Sequence, residues 1–210
     1  MKYDVIIVGA GPGGIFSSYE LTKNDPALKV AVFEAGNSLE KRNCPIDGKK
    51  VKSCINCATC AIMSGFGGAG AFSDGKYNIT NDFGGTLFEH IGKEEAIDLM
   101  NYVDHINMTH GGEGTKMYST AGTDLKKVCM QNKLKLLDAS VRHLGTDINY
   151  IVLENLYAEL KDKIDFFFRT PVETIEVIDG GYRVHTADAS YECEKCVISV
   201  GRSGSKWMEN

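Results

Sequence analysis

Two kinds of chemistry-bearing residue lie side by side in this chain. Cys54, Cys57 and Cys60 stand at two-residue gaps, Cys44 precedes them by ten residues, and Gly65, Gly67, Gly68 and Gly70 follow at once. Three thiolates at this spacing resemble the first ligands of a bacterial ferredoxin run, and with Cys44 they would supply the four that a [4Fe–4S] cluster needs. The Cys-Pro pair, however, comes before the run here rather than after it. Tetrahedral zinc also takes four thiolates, though usually as two C-x-x-C pairs well apart. A third reading is a redox dithiol, its thiolate form favoured by Lys50 and Lys52. The fourth is a loop of unligated cysteines. Spacing alone leaves all four open.

The glycines point to a different ligand. Gly9-Ala10-Gly11-Pro12-Gly13-Gly14 follows the apolar run Tyr3–Val8, precedes a helical pattern over Ile15–Lys23, and is followed by a strand pattern, Lys29–Phe33, ending at Glu34. That is a βαβ unit carrying a dinucleotide fingerprint, with the acid twenty residues past Gly14. Gly9 makes the tight turn, Gly11 lets a pyrophosphate approach the backbone, and Gly14 lets the helix pack on the strand. The helix N-terminus attracts the phosphates, and Glu34 is expected to bind the adenosine ribose. A second literal match, Gly65 to Gly70 with Glu89 beyond it, lacks the preceding strand and the following helix. It is therefore not counted as a second nucleotide site.

The elements that must hold these residues are legible in outline. Residues 35–85 form a long Cys/Gly-rich stretch with little periodicity, and such loops usually wrap a ligand. An amphipathic helix is expected from Glu94 through Ile106, ending before Gly111. Another is expected around 122–132, then a strand at Leu134–Leu137, then a helix capped by Thr146. The last third reads as strands in "DFFFR", "VETIEVI", "YRVHT" and "CVISV", with Asp179-Gly180-Gly181 turning a hairpin. The expected class is α/β, a parallel sheet with helices plus a three-stranded β-meander.

With these motifs in view, the chain resembles the two-dinucleotide-binding-domain flavoproteins, the FAD-dependent oxidoreductases of glutathione-reductase-like fold. The likeness rests on "GAGPGG", "TPVETIEVI" and "CVISVGRSG". It tightens through "CPIDGKKVKSCINCATC", "GFGGAGAFSDGK", "RHLGTD" and "GRSG" towards a group known as FAD-dependent dehydrogenases. The resemblance implies FAD as cofactor, Val172 with its backbone on the adenine, and Gly201 closing the site, with Ala35 beside Glu34. It also implies that Gly67, Gly68 and Gly70 pass along the FAD, joined by Ser73, Lys76 and Arg42. NAD(P)H is an open co-substrate. The likeness spans nearly the whole chain and implies that 1–210 is the N-terminal, incomplete part of an FAD-binding domain.

Remaining candidates are fewer. Arg142 and His143 could hold a carboxylate and move a proton beside a flavin, or simply mark a helix entry. Cys193 and Cys196 read as structural, and Cys129 as core. The chain of 210 residues is 43% hydrophobic and carries a net charge of −5 with interspersed signs, so no nucleic-acid footprint is expected. A flavoprotein that modifies a nucleic-acid base and an inactive nucleotide-binding fragment are the rival readings. The opening apolar run is too short for a signal peptide, and clustered thiols without one suggest a reducing, cytoplasmic setting away from membranes. The expected partner is a small-molecule substrate or an electron carrier.

Overall fold

β1 (Lys2–Val8) is central in the main sheet because its end is apolar on both faces: Ile6 and Ile7 are fully buried, with Val5 and Val8 nearly so. The computed structural model describes residues 1–209, the Ser203 side chain excepted. α1 (Pro12–Asn24) crosses from β1 to β2 (Val30–Glu34), which pairs parallel with β1 in the register Val5↔Val30. The chain divides into two units, one of residues 1–72 and 153–210, the other of residues 73–152.

The first unit holds a six-stranded sheet in the order β6-β2-β1-β9-β8-β7, where β6 is Asp165–Phe168, β7 Val172–Ile178, β8 Gly181–Thr186 and β9 Ser190–Ile198. β6, β2, β1 and β9 run parallel, while β7, β8 and β9 form an antiparallel meander. The Ile178↔Gly181 pair leaves Asp179 and Gly180 as a two-residue turn, as expected. β9 starts well before the expected "CVISV" because it must pair with β1 on one side and β8 on the other. The meander joins the sheet through β9 and shares a core with it. Phe33 stacks on Phe167 at 4.7 Å and meets Tyr191 edge-on at 4.8 Å, with Tyr3, Val172, Val184 and Cys193 around them.

The second unit is built on a three-stranded antiparallel sheet, β3 (Lys76–Ile79), β5 (Ser140–His143) and β4 (Met117–Ser119), with β5 central. Its helices are α2 (Leu87–Ile91), α3 (Lys93–Asn107) and α4 (Leu125–Gln131); α5 (Gly145–Leu160) begins here and ends in the first unit. Two expectations are corrected. Leu134–Leu137 is not a strand; the strand is Ser140–His143, whose register with Lys76–Ile79 fixes it, while Leu134 is exposed and unpaired in the sheet. Thr146 does not cap its helix. Gly145 opens α5 at φ +77°, and the Thr146 hydroxyl, one residue inside, donates to the Ser73 carbonyl. No helix among the described residues is long and apolar enough to cross a membrane.

Candidate functional site

The fingerprint closes the C-terminal edge of the parallel strands, where open α/β sheets bind ligands. Gly9 follows β1 at φ +103°, and a Cβ there would strike the Ser199 carbonyl just beyond β9. A Cβ on Gly14 would overlap the Gly9 carbonyl oxygen, so only glycine lets α1 start this close to β1. Pro12 opens α1, Gly11 occupies the cap position, and no side chain bonds to the helix start. The first-turn amides of α1 therefore keep their donors and their positive end for a ligand.

A cavity of about 660 Å³ lies over that helix start, within the ~300–1,000 Å³ of small-molecule sites. All of its lining belongs to the first unit. Of the residues proposed from sequence, Gly9, Gly11, Pro12, Gly13, Glu34, Ala35, Gly68, Gly70, Val172 and Gly201 line it. Ala10, Gly14, Gly67 and Arg42 do not; they are buried behind its wall. Ser73 and Lys76 belong to the second unit, where Lys76 pairs with Asp74 at 2.7 Å on the surface. Ala58, Thr59, Met63 and Ser64 from the Cys-rich stretch and Trp207 after β9, which the motifs did not single out, also line it, as do Ser199 and Arg202 of "CVISVGRSG". Ser199 falls in the closing stretch "CVISVGRSG", and its Oγ sits where a Gly13 Cβ would be.

Glu34 has more than one task. Its Oε2 accepts the Ala10 N–H at 2.8 Å, and its Oε1 accepts the N–H groups of Gly36 at 2.8 Å and Gly65 at 2.9 Å. A carboxylate offers about four acceptor positions, so one remains on Oε2 for a ligand hydroxyl. Arg42 is 4% exposed and donates to four backbone carbonyls: Ala61 at 2.9 Å, Ile62 at 2.8 Å, Phe66 at 2.6 Å and Gly68 at 2.8 Å. Its guanidinium also stacks over Phe72 at 4.8 Å. Burial lowers its affinity for the proton, and the nearby Glu34 carboxylate opposes that effect.

The thiols do not converge on an ion. Cys44, Cys54 and Cys57 are exposed, Cys60 is half-buried, and no three His, Cys, Asp or Glu side chains gather to hold a metal among the described residues. The four-thiolate donor set that an iron–sulfur cluster or zinc would take is thus not gathered among the described residues. Cys193 is buried and Cys196 half-buried in the sheet core, where burial pushes Cys196 up to about 12. In the second unit, Arg142 is committed to Asp104, with Nε at 2.6 Å and Nη2 at 2.8 Å, and to the Thr115 carbonyl at 2.6 Å. His143, beside it on β5, is exposed.

Comparison with known proteins agrees with this architecture. The Thi4 family matches residues 1–40, the βαβ unit. No functionally curated protein matches the chain in sequence. Among solved structures, glycine oxidase from Geobacillus kaustophilus overlays at a TM-score of 0.55 and 17% identity, covering 99% of this chain and 58% of its own. Glycine oxidase from Bacillus cereus ATCC 14579 gives a TM-score of 0.52 and 15% identity, covering 99% of this chain and 57% of that one. NikD, an amino acid oxidase of nikkomycin biosynthesis, gives 0.51 and 13%, covering 99% and 53%. The chain thus spans less than two thirds of the length of these structures. By strand order, fingerprint and overlay alike, it has the Rossmann-like FAD/NAD(P)-binding fold, extended by a β-meander.

Proposed function

We propose that this chain is the FAD-binding part of an FAD-dependent oxidoreductase, a dehydrogenase. The observation that carries the reading is the uncapped start of α1 at the cavity, with Glu34 on the neighbouring strand end. Gly11 and Gly13 present the pyrophosphate site, Glu34 keeps an acceptor for the ribose, and Val172 borders the adenine end. Gly68, packed against Gly11, and Gly70 border the same cavity. The fold is shared with proteins titled glycine oxidase and amino acid oxidase, which supports redox chemistry of the same kind. Bound FAD would supply the hydride or electron transfer, while the protein supplies binding and orientation. NAD(P)H remains the proposed reductant class.

The thiol stretch fits a dithiol better than a metal centre. The chain bends at Ala58 and Thr59, which line the cavity, so Cys57 and Cys60 flank a cavity wall. Forming a Cys57–Cys60 bond would release two electrons and two protons, taken up by an electron carrier of the disulfide class as it becomes two thiols. The test is a spectrum of the purified protein before and after adding FAD, followed by desalting. Retained flavin absorbance and quenching of Trp207, which lines the cavity, are expected. A protein left colourless would refute the flavin reading. Zinc retained at about one ion per chain, or iron at about four, would refute the dithiol.

A further inference from the structure

We propose that Arg42 is a positioning residue for the dinucleotide: without touching it, the guanidinium locks the 65–70 glycine loop against the 9–14 fingerprint, so that two loops make one binding wall. The proposal rests on the dinucleotide reading of the cavity. The sequence suggests that Arg42 reaches the cofactor, but its side chain is absent from the cavity lining and four of its five donors are committed to carbonyls. Those carbonyls decide what the guanidinium does.

In a trans peptide the C=O and N–H point in opposite directions. Arg42 Nη1 takes the Phe66 carbonyl at 2.6 Å, and the N–H of that same peptide, on Gly67, donates to the Ala10 carbonyl at 2.8 Å. One peptide plane therefore ties the buried cation to the fingerprint. The next carbonyl that Nη1 takes belongs to Gly68, at 2.8 Å, and the N–H of its peptide is carried by Ala69, which lines the cavity. A cation on the carbonyl side polarises such a peptide and strengthens its N–H as a donor. The two loops are also in backbone contact: a Cβ on Gly68, at φ +59°, would lie 3.1 Å from Gly11 Cα.

Glu34 fastens the other end of the same loop, through the Gly65 N–H at 2.9 Å. Phe66 N–H adds a bond to the Asn37 carbonyl at 3.0 Å. The loop is thus held at Gly65, Phe66, Gly67 and Gly68 in succession, and Arg42 supplies the two bonds nearest the cavity. A planar fork can span four carbonyls at once; the single ammonium of lysine cannot, although it keeps the charge.

The experiment compares wild type, Arg42→Lys and Arg42→Ala in two measurements. FAD affinity is followed by Trp207 quenching, and amide hydrogen exchange is followed at Gly67, with β1 amides as the control for global folding. Arg42→Lys is expected to weaken FAD binding by about tenfold or more and to speed Gly67 exchange by a similar factor, with β1 protection retained. Arg42→Ala is expected to be worse on both and to recover in part with methylguanidine, which a purely global loss of stability would not do. Arg42→Lys binding FAD within about threefold of wild type would overturn the proposal, since a direct charge contact predicts that result. Unchanged Gly67 exchange would overturn it as well. If wild type binds no FAD, the dinucleotide reading fails instead, and Gly67 exchange still decides whether Arg42 holds the loop.

Discussion

Glu34→Gln separates what the carboxylate does for the fold from what it does for a ligand. Three amides from separate stretches, Ala10, Gly36 and Gly65, end on its two oxygens at 2.8–2.9 Å. Glutamine has one oxygen. Its better orientation keeps that oxygen on Gly36 and Gly65 and turns the NH₂ group towards the Ala10 N–H, which is fully buried. One charge-assisted bond is lost, two become neutral, and a buried donor is left facing another donor. Together these cost about 3 kcal/mol. The assay is urea unfolding of the ligand-free protein, read by Trp207 fluorescence. With a slope of about 1–3 kcal/mol per molar, the midpoint should fall by ~1–3 M. A ribose contact contributes nothing without ligand, so this loss reports the backbone role alone. Ligand-free stability within about 0.5 kcal/mol of wild type would refute the reasoning.

Three further outcomes follow from groups outside the cavity. Asp104→Asn leaves the Arg142 guanidinium, whose side chain is 13% exposed, without its counter-charge; thermal unfolding should report a loss of about 3–5 kcal/mol, showing Arg142 as a structural partner. Cys196 is held up to about 12, and Cys193 and Tyr3 are also raised, each chiefly by burial, so the folded state favours their protonated forms. The contribution of the two thiols is full below their ordinary value of 9.0, and that of Tyr3 below its ordinary 10.0; each is lost as pH rises above that value, for Cys196 towards about 12. Unfolding midpoints across that range check the sign. Iodoacetamide near neutral pH should label Cys44, Cys54 and Cys57 and spare Cys193 and Cys196 until the protein unfolds.

Local signals made the βαβ unit and the Asp179-Gly180 turn readable, because a fingerprint and a two-residue hairpin are specified within a few residues. What was missed is specified at a distance. Ser140–His143 is a polar strand whose only reason to be extended is its pairing with Lys76–Ile79 and Met117–Ser119, whereas nearby Leu134 and Leu137 carry the apolar signal but face solvent. The same holds at the site. Gly9, Gly11, Gly13 and Glu34 follow from the motif, but nothing near Arg42 in sequence announces that its guanidinium will be consumed by carbonyls nineteen to twenty-six positions away. Ala58 and Thr59 were hidden by their more conspicuous cysteine neighbours.

The pairing of β1 with β9, in the register Lys2↔Glu192 through Val8↔Ile198, also sets an order of events during synthesis. β1 is made nearly two hundred residues before its partner on that side. At ~5–20 residues per second, the Val5–Val8 edge waits on the order of ten seconds or more with its hydrogen-bonding groups unmatched on that side. So non-local a contact also closes late in refolding. During that interval an apolar strand edge stands ready to pair with another nascent chain, which makes β1 the segment where a chaperone or a misfolding event would act first.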